Sequence, residues 1–438
     1  MRAVCMLLCA ATLSAEPVEL SLKRAVQLAV SPEGSTRVKL AEESRKQAES
    51  RSTQAKAALL PDLSAGFNVQ SLTRNLAAVG IGVGAVIPVP GFQFPTFVGP
   101  FNTIDARVSV AQSVFDLSSI RRFQASKVVA ASARSDVRGS EEQVAAQVAR
   151  AYLTAIRADA DIEAAKANLA LSEAVLKQAE NQKAAGSGTG IEITRARVQM
   201  ANDRQRLLVS ENARRAAGLQ LLRTIGLRLD TELSLTDRLQ YVPVDALTLE
   251  QARAQAIKSR PDLEAQEQRE NGARLSANAT KLERLPSVAA FGDYGVSGSG
   301  FDAALPTRTV GISVRVPIFD GGRRDARRAE TASQYRAEKV KTGDLKEQIE
   351  LDVRLALDAL RSADEQVKVA REGLELAEAE LTQARRRYEA GVSIGVEVTD
   401  AQSRLERARD NQTTALYNYN VSRIDLAQAM GAVRKSVE

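Results

Sequence analysis

Histidine and tryptophan are absent from this chain of 438 residues, and cysteine occurs only at Cys5 and Cys9. The side chains that most often act as general base, activated nucleophile or transition-metal ligand are thus missing from the body of the protein. Carboxylate-only chemistry remains possible, but neither an enzyme nor a metal or cofactor site is expected. Aromatic residues are 4% of the total, and the dominance of Ala, Leu, Glu, Arg and Gln points to long helices with alternating seams instead of one compact core. No run of about twenty apolar residues occurs, which excludes a transmembrane helix. Charge of one sign is not in excess either: 60 basic and 54 acidic residues are interspersed. A nucleic-acid partner would call for a basic stripe, so none is expected.

The first residues read as a secretory signal: Arg2, an apolar run from Ala3 to Leu13, then Ser14-Ala15 before Glu16. With cleavage after Ala15, residues 1–15 are lost and the mature chain has no thiol, so disulfides are not expected to stabilise it.

Beyond the signal, the second half of the chain repeats the first at an offset of 205 residues. Gly186 pairs with Gly391, Ala196 with Ala401 and Gly226 with Gly431, without a gap. Such a duplication predicts two equivalent units, residues 16–226 and 248–438, joined by a linker over 227–247 that carries Pro243 and no strong period.

Each unit is predicted to start with helix: Leu20 to Leu59, broken near Ser31-Pro32, and Leu249 to Leu285. Strand pairs follow. Leu63, Ala65, Phe67 and Val69 alternate with Ser64, Gly66, Asn68 and Gln70, and Val108, Val110 and Val114 alternate with small or polar residues. In the second half a weaker strand covers Val288 to Val296, and Val310, Ile312, Val314, Val316 and Ile318 alternate with Thr309, Gly311, Ser313, Arg315 and Pro317. Stretches of roughly ten residues have the length of tilted membrane strands, although alternation alone also fits hairpins half-buried in a soluble sheet. Four strands cannot close a barrel, and open edges do not survive in hydrocarbon. Membrane strands would therefore require several protomers per barrel. The stretch from Thr73 to Thr103, rich in Gly, Pro and Phe, is about twenty residues longer than its second-half counterpart. Between membrane strands it would be an external loop that caps the barrel or touches the outer leaflet, and it reads equally as a disordered one.

After each strand pair comes a segment of about seventy residues without proline, from Ser118 to Ala185 and from Arg323 to Ala390, enough for helical rods of roughly 100 Å. Val367, Ala370, Leu374, Ala377, Leu381, Ala384 and Tyr388 make a heptad seam, echoed by Ile162, Ala165, Leu169, Leu176 and Ala179. Glycines then interrupt each rod (Gly186, Gly188 and Gly190; Gly391 and Gly395), and a second helix returns to Gly226 or Gly431.

Several strings, in order, resemble hallmarks of the TolC-type outer membrane efflux proteins. Pro317-Ile318-Phe319-Asp320-Gly321-Gly322-Arg323-Arg324 is similar to that family's strand-to-helix signature, echoed by Val114-Phe115-Asp116. Arg260-Pro261-Asp262-Leu263 resembles the entry of its middle helix. Leu59-Leu60-Pro61-Asp62-Leu63 and Leu285-Pro286-Ser287 resemble its helix-to-strand turns. Tyr388-Glu389-Ala390-Gly391 with Glu397-Val398 and Asp400-Ala401 resembles its hairpin tip.

The resemblance implies a mainly helical fold with membrane β structure. Specifically, it implies a homotrimer with a twelve-stranded outer membrane β-barrel continued by a twelve-helix periplasmic α-helical barrel, with residues 227–247 as an equatorial belt. It implies an export duct in the outer membrane of a Gram-negative-type bacterium, extending into the periplasm, within a tripartite efflux or type I secretion system. The implied partners are a periplasmic adaptor (membrane fusion) protein, an inner-membrane transporter and outer membrane lipid. Matched residue by residue, Glu397 and Asp400 fall where the family has acidic gate residues, Tyr388 where it has a gate-locking aromatic, and Glu192 at the equivalent first-half position. The chain departs from the pattern with Arg195 opposite Asp400, Lys183 opposite Tyr388, and Ser393 where a gate arginine can occur, which makes Arg195 the candidate cationic partner. Read without the resemblance, the same acids are solvated helix-start residues. Gly186, Gly188, Gly190, Gly391 and Gly395 mark the tips expected to dock the adaptor. The contrasting architecture is a soluble periplasmic coiled-coil scaffold whose alternating segments form an ordinary sheet.

Overall fold

The computed structural model describes residues 18–31, 33–76, 78, 97–186, 188–244, 247–390, 392–393 and 395–437. The expected signal, most of the 73–103 stretch, Ser187 and Gly391 lie outside the described residues. In chain order the elements are β1 (Val18–Leu20), α1 (Leu22–Val30), α2 (Thr36–Ala57), β2 (Asp62–Asn75), β3 (Phe97–Phe115), α3 (Leu117–Ala184), α4 (Gly190–Ile225) and β4 (Leu233–Leu235). Then come α5 (Leu249–Ser259), α6 (Pro261–Leu282), β5 (Ser287–Gly298), β6 (Leu305–Arg315), α7 (Arg323–Glu389), α8 (Gly395–Ala429) and α9 (Val433–Val437). Helix dominates, and none of the described helices is long and apolar enough to cross a membrane.

The two longest helices, α3 and α7, start for the same physical reason. Asp116 Oδ1 accepts from the N–H groups of Ser118 (2.9 Å) and Ser119 (3.2 Å), and Asp320 Oδ2 accepts from Arg324 N–H at 3.1 Å. A carboxylate at this place satisfies otherwise orphan amides and complements the helix dipole, which gives the Val-Phe-Asp and Ile-Phe-Asp strings a mechanical role.

The chain divides into two compact units that each draw on both halves of the sequence. One comprises the described residues up to 45, 133–265 and from 341 onward. Its core gathers small and β-branched residues of α3, Val144 to Ile156, with Ala25, Val26 and Ala29 of α1 and Leu221 and Ile225 of α4. Tyr152 is fully buried there, its hydroxyl 2.7 Å from the Leu20 carbonyl oxygen and 2.9 Å from Asp237 Oδ2. The linker has no period of its own because its order comes from such anchors. β1 and β4 pair in parallel, Val18 with Leu233, and Tyr419 Oη donates to the Val242 carbonyl at 2.8 Å. In the same unit the Arg260 guanidinium holds Asp262 (2.7 Å) and Asp352 (2.9 Å), and Pro261 opens α6 at the position where a missing N–H costs nothing.

The expected seam of α7 is buried at Val367, Ala377, Leu381, Ala384 and Tyr388. Toward its C-terminal end it packs against Val398, Ala401 and Leu405 of α8 and Val175 of α3. On α3, Ile162, Ala165 and Ala179 are buried as the spacing predicts, but so are Ser172 and Val175, which the alternation of apolar residues does not reveal.

The other unit comprises residues 46–132 and 266–340. It holds an antiparallel sheet of order β2-β3-β5-β6. The register puts Leu63, Phe67 and Val69 of β2, Val108 and Val110 of β3, Tyr294 of β5 and Val310, Ile312 and Val314 of β6 on one face. That face is exposed, Val310 by 85%, Ile312 by 74% and Leu63 by 70%. The opposite face carries mainly small residues and Ser, Thr, Asn and Gln, with Asp105, Arg107, Phe291 and Asp293 among them. A half-buried soluble sheet has the reverse arrangement, with its apolar side covered.

Two expectations about the strands need correction. β2 and β3 run for 14 and 19 residues, not about ten, because both ends of the 73–103 stretch pair as strand, up to Asn75 and again from Phe97. β6 in turn stops at Arg315. Val316 and Ile318 lie beyond it, beside Pro317, whose missing N–H cannot extend a ladder.

Candidate functional site

At the first hairpin tip, α3 ends on Gly186, which has φ +79° and donates to the Lys183 carbonyl at 3.0 Å, while Gly188 N–H bonds the Gln182 carbonyl at 3.0 Å. The left-handed step favours glycine at Gly186. At Gly188 a Cβ would lie 2.9 Å from Lys183 N, so no side chain fits without a shift. Gly190 is roomier: a Cβ there would meet only the Lys183 ammonium, at 3.7 Å. α4 then opens with a capping box in which Glu192 accepts from the Thr189 N–H at 2.9 Å.

The second tip is built differently. There Glu397 lies 3.7 Å from Arg387 on α7. Tyr388 is buried in the seam at 5% exposure. Around Gly395, a Cβ would sit 3.6 Å from the Tyr388 hydroxyl and 3.7 Å from Glu192 Oε1, so the two tips meet there. Burial, reinforced by the Glu192 carboxylate, pushes the Tyr388 hydroxyl above the usual tyrosine range.

The structure therefore brings Glu192, Tyr388 and Gly395 together and pairs Glu397 with Arg387. Asp400 and Arg195 are exposed, on α8 and α4, and neither makes an ion pair among the described residues. No motif singles out Arg387, one of three consecutive arginines. Its placement one turn before the tip, facing the first turn of α8, is what distinguishes it. Below the tips, Arg197 pairs with Glu180 (3.1 Å) and Arg404 with Glu380 (2.6 Å), each closing its own hairpin. Arg206 of α4 pairs with Glu406 of α8, tying one hairpin to the other. No cluster of acidic side chains able to hold a metal ion occurs among the described residues.

The model of the outer membrane efflux protein family matches residues 33–227 and 252–432. The chain is similar to the alkaline protease secretion protein AprF of Pseudomonas aeruginosa, 23% identical over 329 residues, 73% of this chain and 68% of that one. It is also similar to the pyoverdine export outer membrane protein OpmQ of Pseudomonas putida, 26% identical over 293 residues, 65% of this chain and 61% of that one. In structure it resembles the Campylobacter jejuni CmeC outer membrane channel with a TM-score of 0.80 at 16% identity, over 94% of this chain and 85% of that one. The chain belongs to the outer membrane efflux protein family, a family of outer membrane channels.

Proposed function

We propose that this protein is the outer membrane duct of a tripartite efflux or type I secretion system, passing cargo from an inner-membrane transporter and a periplasmic adaptor to the outside. The observation that carries the reading is the sheet: four antiparallel strands, an exposed apolar face, a mainly polar opposite face and two edges unpaired among the described residues. Lipid can cover the apolar face, but open edges must be closed by further strands. Three protomers supply twelve, and β6 of one copy meets β2 of the next in antiparallel sense. The helical hairpins then supply twelve helices to a periplasmic tunnel.

In this reading the tips dock the adaptor through Gly186, Gly188, Gly190, Gly391 and Gly395. Glu397 and Asp400, with Glu192 behind them, form an acidic periplasmic gate whose lock includes Tyr388 and Arg195. The sequence names no cargo, and the two relatives above carry names for different ones, an alkaline protease and pyoverdine. Membrane fractionation tests the class: a duct stays in the outer membrane through salt and alkaline washes and leaves in detergent as a trimer. Release by salt alone would favour the soluble scaffold.

A further inference from the structure

Over the middle of the sheet's polar face most side chains are short and uncharged, apart from Phe291 on β5 and one charged cluster. Arg107 on β3 faces Asp105, two residues earlier on the same strand, and Asp293 on β5. Its Nε donates to Asp105 Oδ1 at 2.5 Å, its Nη2 to Asp105 Oδ2, and its Nη1 to Asp293 Oδ1 at 3.2 Å. Both cross-strand neighbours of Arg107 are glycines, Gly66 on β2 and Gly295 on β5. A Cβ at Gly295 would fall 2.5 Å from Arg107 Cβ and 2.3 Å from the Ala106 carbonyl oxygen, so the strands approach too closely there for any side chain. At Gly66 nothing lies within 4 Å of that position, and a groove of about 630 Å³ opens over it, reaching Asp105 and Arg107. The guanidinium is held by carboxylates on two strands beside an open floor. Two acids and one base leave one net negative charge per chain.

We propose that Asp105, Arg107 and Asp293 form a cation-selecting band inside the barrel, a second filter distinct from the gate at the helical tips. The inference rests on the barrel reading above, which turns the polar face toward the lumen. Three copies put three net negative charges around one aqueous passage. The low-dielectric wall focuses that field on passing solutes, so the band favours cationic cargo and disfavours anions. Arg107 sets the strength of the filter by cancelling one of the two carboxylates and by holding both in place.

The test is the reversal potential of purified trimers in planar bilayers under a KCl gradient. Arg107→Gln should raise the potassium-to-chloride permeability ratio by about twofold or more, and Asp105→Asn combined with Asp293→Asn should lower it by a similar factor. Gly66→Asp adds a carboxylate in the open groove without breaking the pairing and should raise the ratio, which keeps the proposal testable if Arg107→Gln does not assemble. Arg107→Lys keeps the charge and should stay near the parent value. Channels whose ratio is unchanged in these variants, or moves the same way in the Gln and double Asn variants, would overturn the band while leaving the duct intact. If the unaltered trimer forms no channel, the barrel reading fails and the band with it.

Discussion

Glu192 and Glu397 stand 205 positions apart at equivalent places, yet neighbouring residues give them different work. Glu192 spends one carboxylate oxygen on the Thr189 amide, whereas Glu397 lies in a loose pair with Arg387. Exposed pairs of this sort contribute about 0–1 kcal/mol, so Glu397 and Asp400 can act mainly through charge. Changing both to Ala should lower the cation preference of the channel and weaken block by multivalent cations, as read in single-channel recordings. Unchanged selectivity would mark them as ordinary helix-start acids. Tyr388 acts through packing instead: Tyr388→Ala removes a buried seam side chain, with a local cost of about 3 kcal/mol, and should raise resting conductance without changing selectivity. Away from the proposed gate, Arg260→Ala should lower the thermal midpoint by the equivalent of about 2 kcal/mol, less than a fully buried pair because Asp262 stays partly exposed. Burial works to raise the Asp262 carboxyl, but hydrogen bonds and charge from Arg260 overcome it and hold the carboxyl below the usual carboxylate range. The folded state therefore binds that proton less readily than the unfolded chain. The resulting stability is fully present at neutral pH and is lost as pH falls through the lowered value. Thermal melts of the parent should show this acid loss, and melts of the Arg260→Ala variant should show less of it.

At the scale of elements, the long helices were legible because a heptad seam and the absence of proline leave few alternatives for seventy residues. The polar occupants of the seam were not. Ser172 is buried on α3 and its hydroxyl returns to the Leu169 carbonyl at 3.0 Å, while Asp203 on α4 is buried with Gln199 as its donor. An apolar pattern skips such positions. The parallel pair of β1 and β4 was hidden for another reason: three residues on each side, over two hundred apart, carry no period. At the candidate site, glycines flagged the tips, but which of them are structurally required depends on local space. Valine at Gly188 has no room, and valine at Gly186 must take a left-handed backbone. Alanine at Gly190 or Gly395 meets only ordinary contacts. Valine at Gly188 should abolish export with the trimer still formed on native gels, and alanine at Gly190 or Gly395, whose Cβ meets only ordinary contacts, should reduce export far less. Full export with valine at both Gly186 and Gly188 would move adaptor docking away from this tip.

For the whole molecule, the sheet sets the requirement that one chain cannot meet. Among the described residues its outer strands, β2 and β6, each pair on one side only, which leaves a row of backbone donors and acceptors to be satisfied, and the apolar face is suited to lipid. Closure through β6 of one copy against β2 of the next satisfies those groups without new secondary structure, since the alternating strand directions already give an antiparallel join. A cross-linking scan tests this arrangement directly. With Cys5 and Cys9 changed to Ser, single cysteines at Ser64 or Asn68 of β2 are paired with single cysteines at Thr307, Thr309 or Ser313 of β6, all on the polar face. The correct register brings one pair to Cα separations of about 4.4–6.8 Å, within reach of a disulfide, and the pairs one step away outside it. Oxidation should then yield covalent dimers and trimers on non-reducing gels for one or two of the combinations and monomer for the rest. Cysteines on the apolar face at Val69 and Ile312 should react with lipid-soluble thiol reagents and resist charged ones. If no β2–β6 combination links separate chains although the protein extracts as a trimer, the copies meet through their helices alone, and the twelve-stranded barrel must be abandoned.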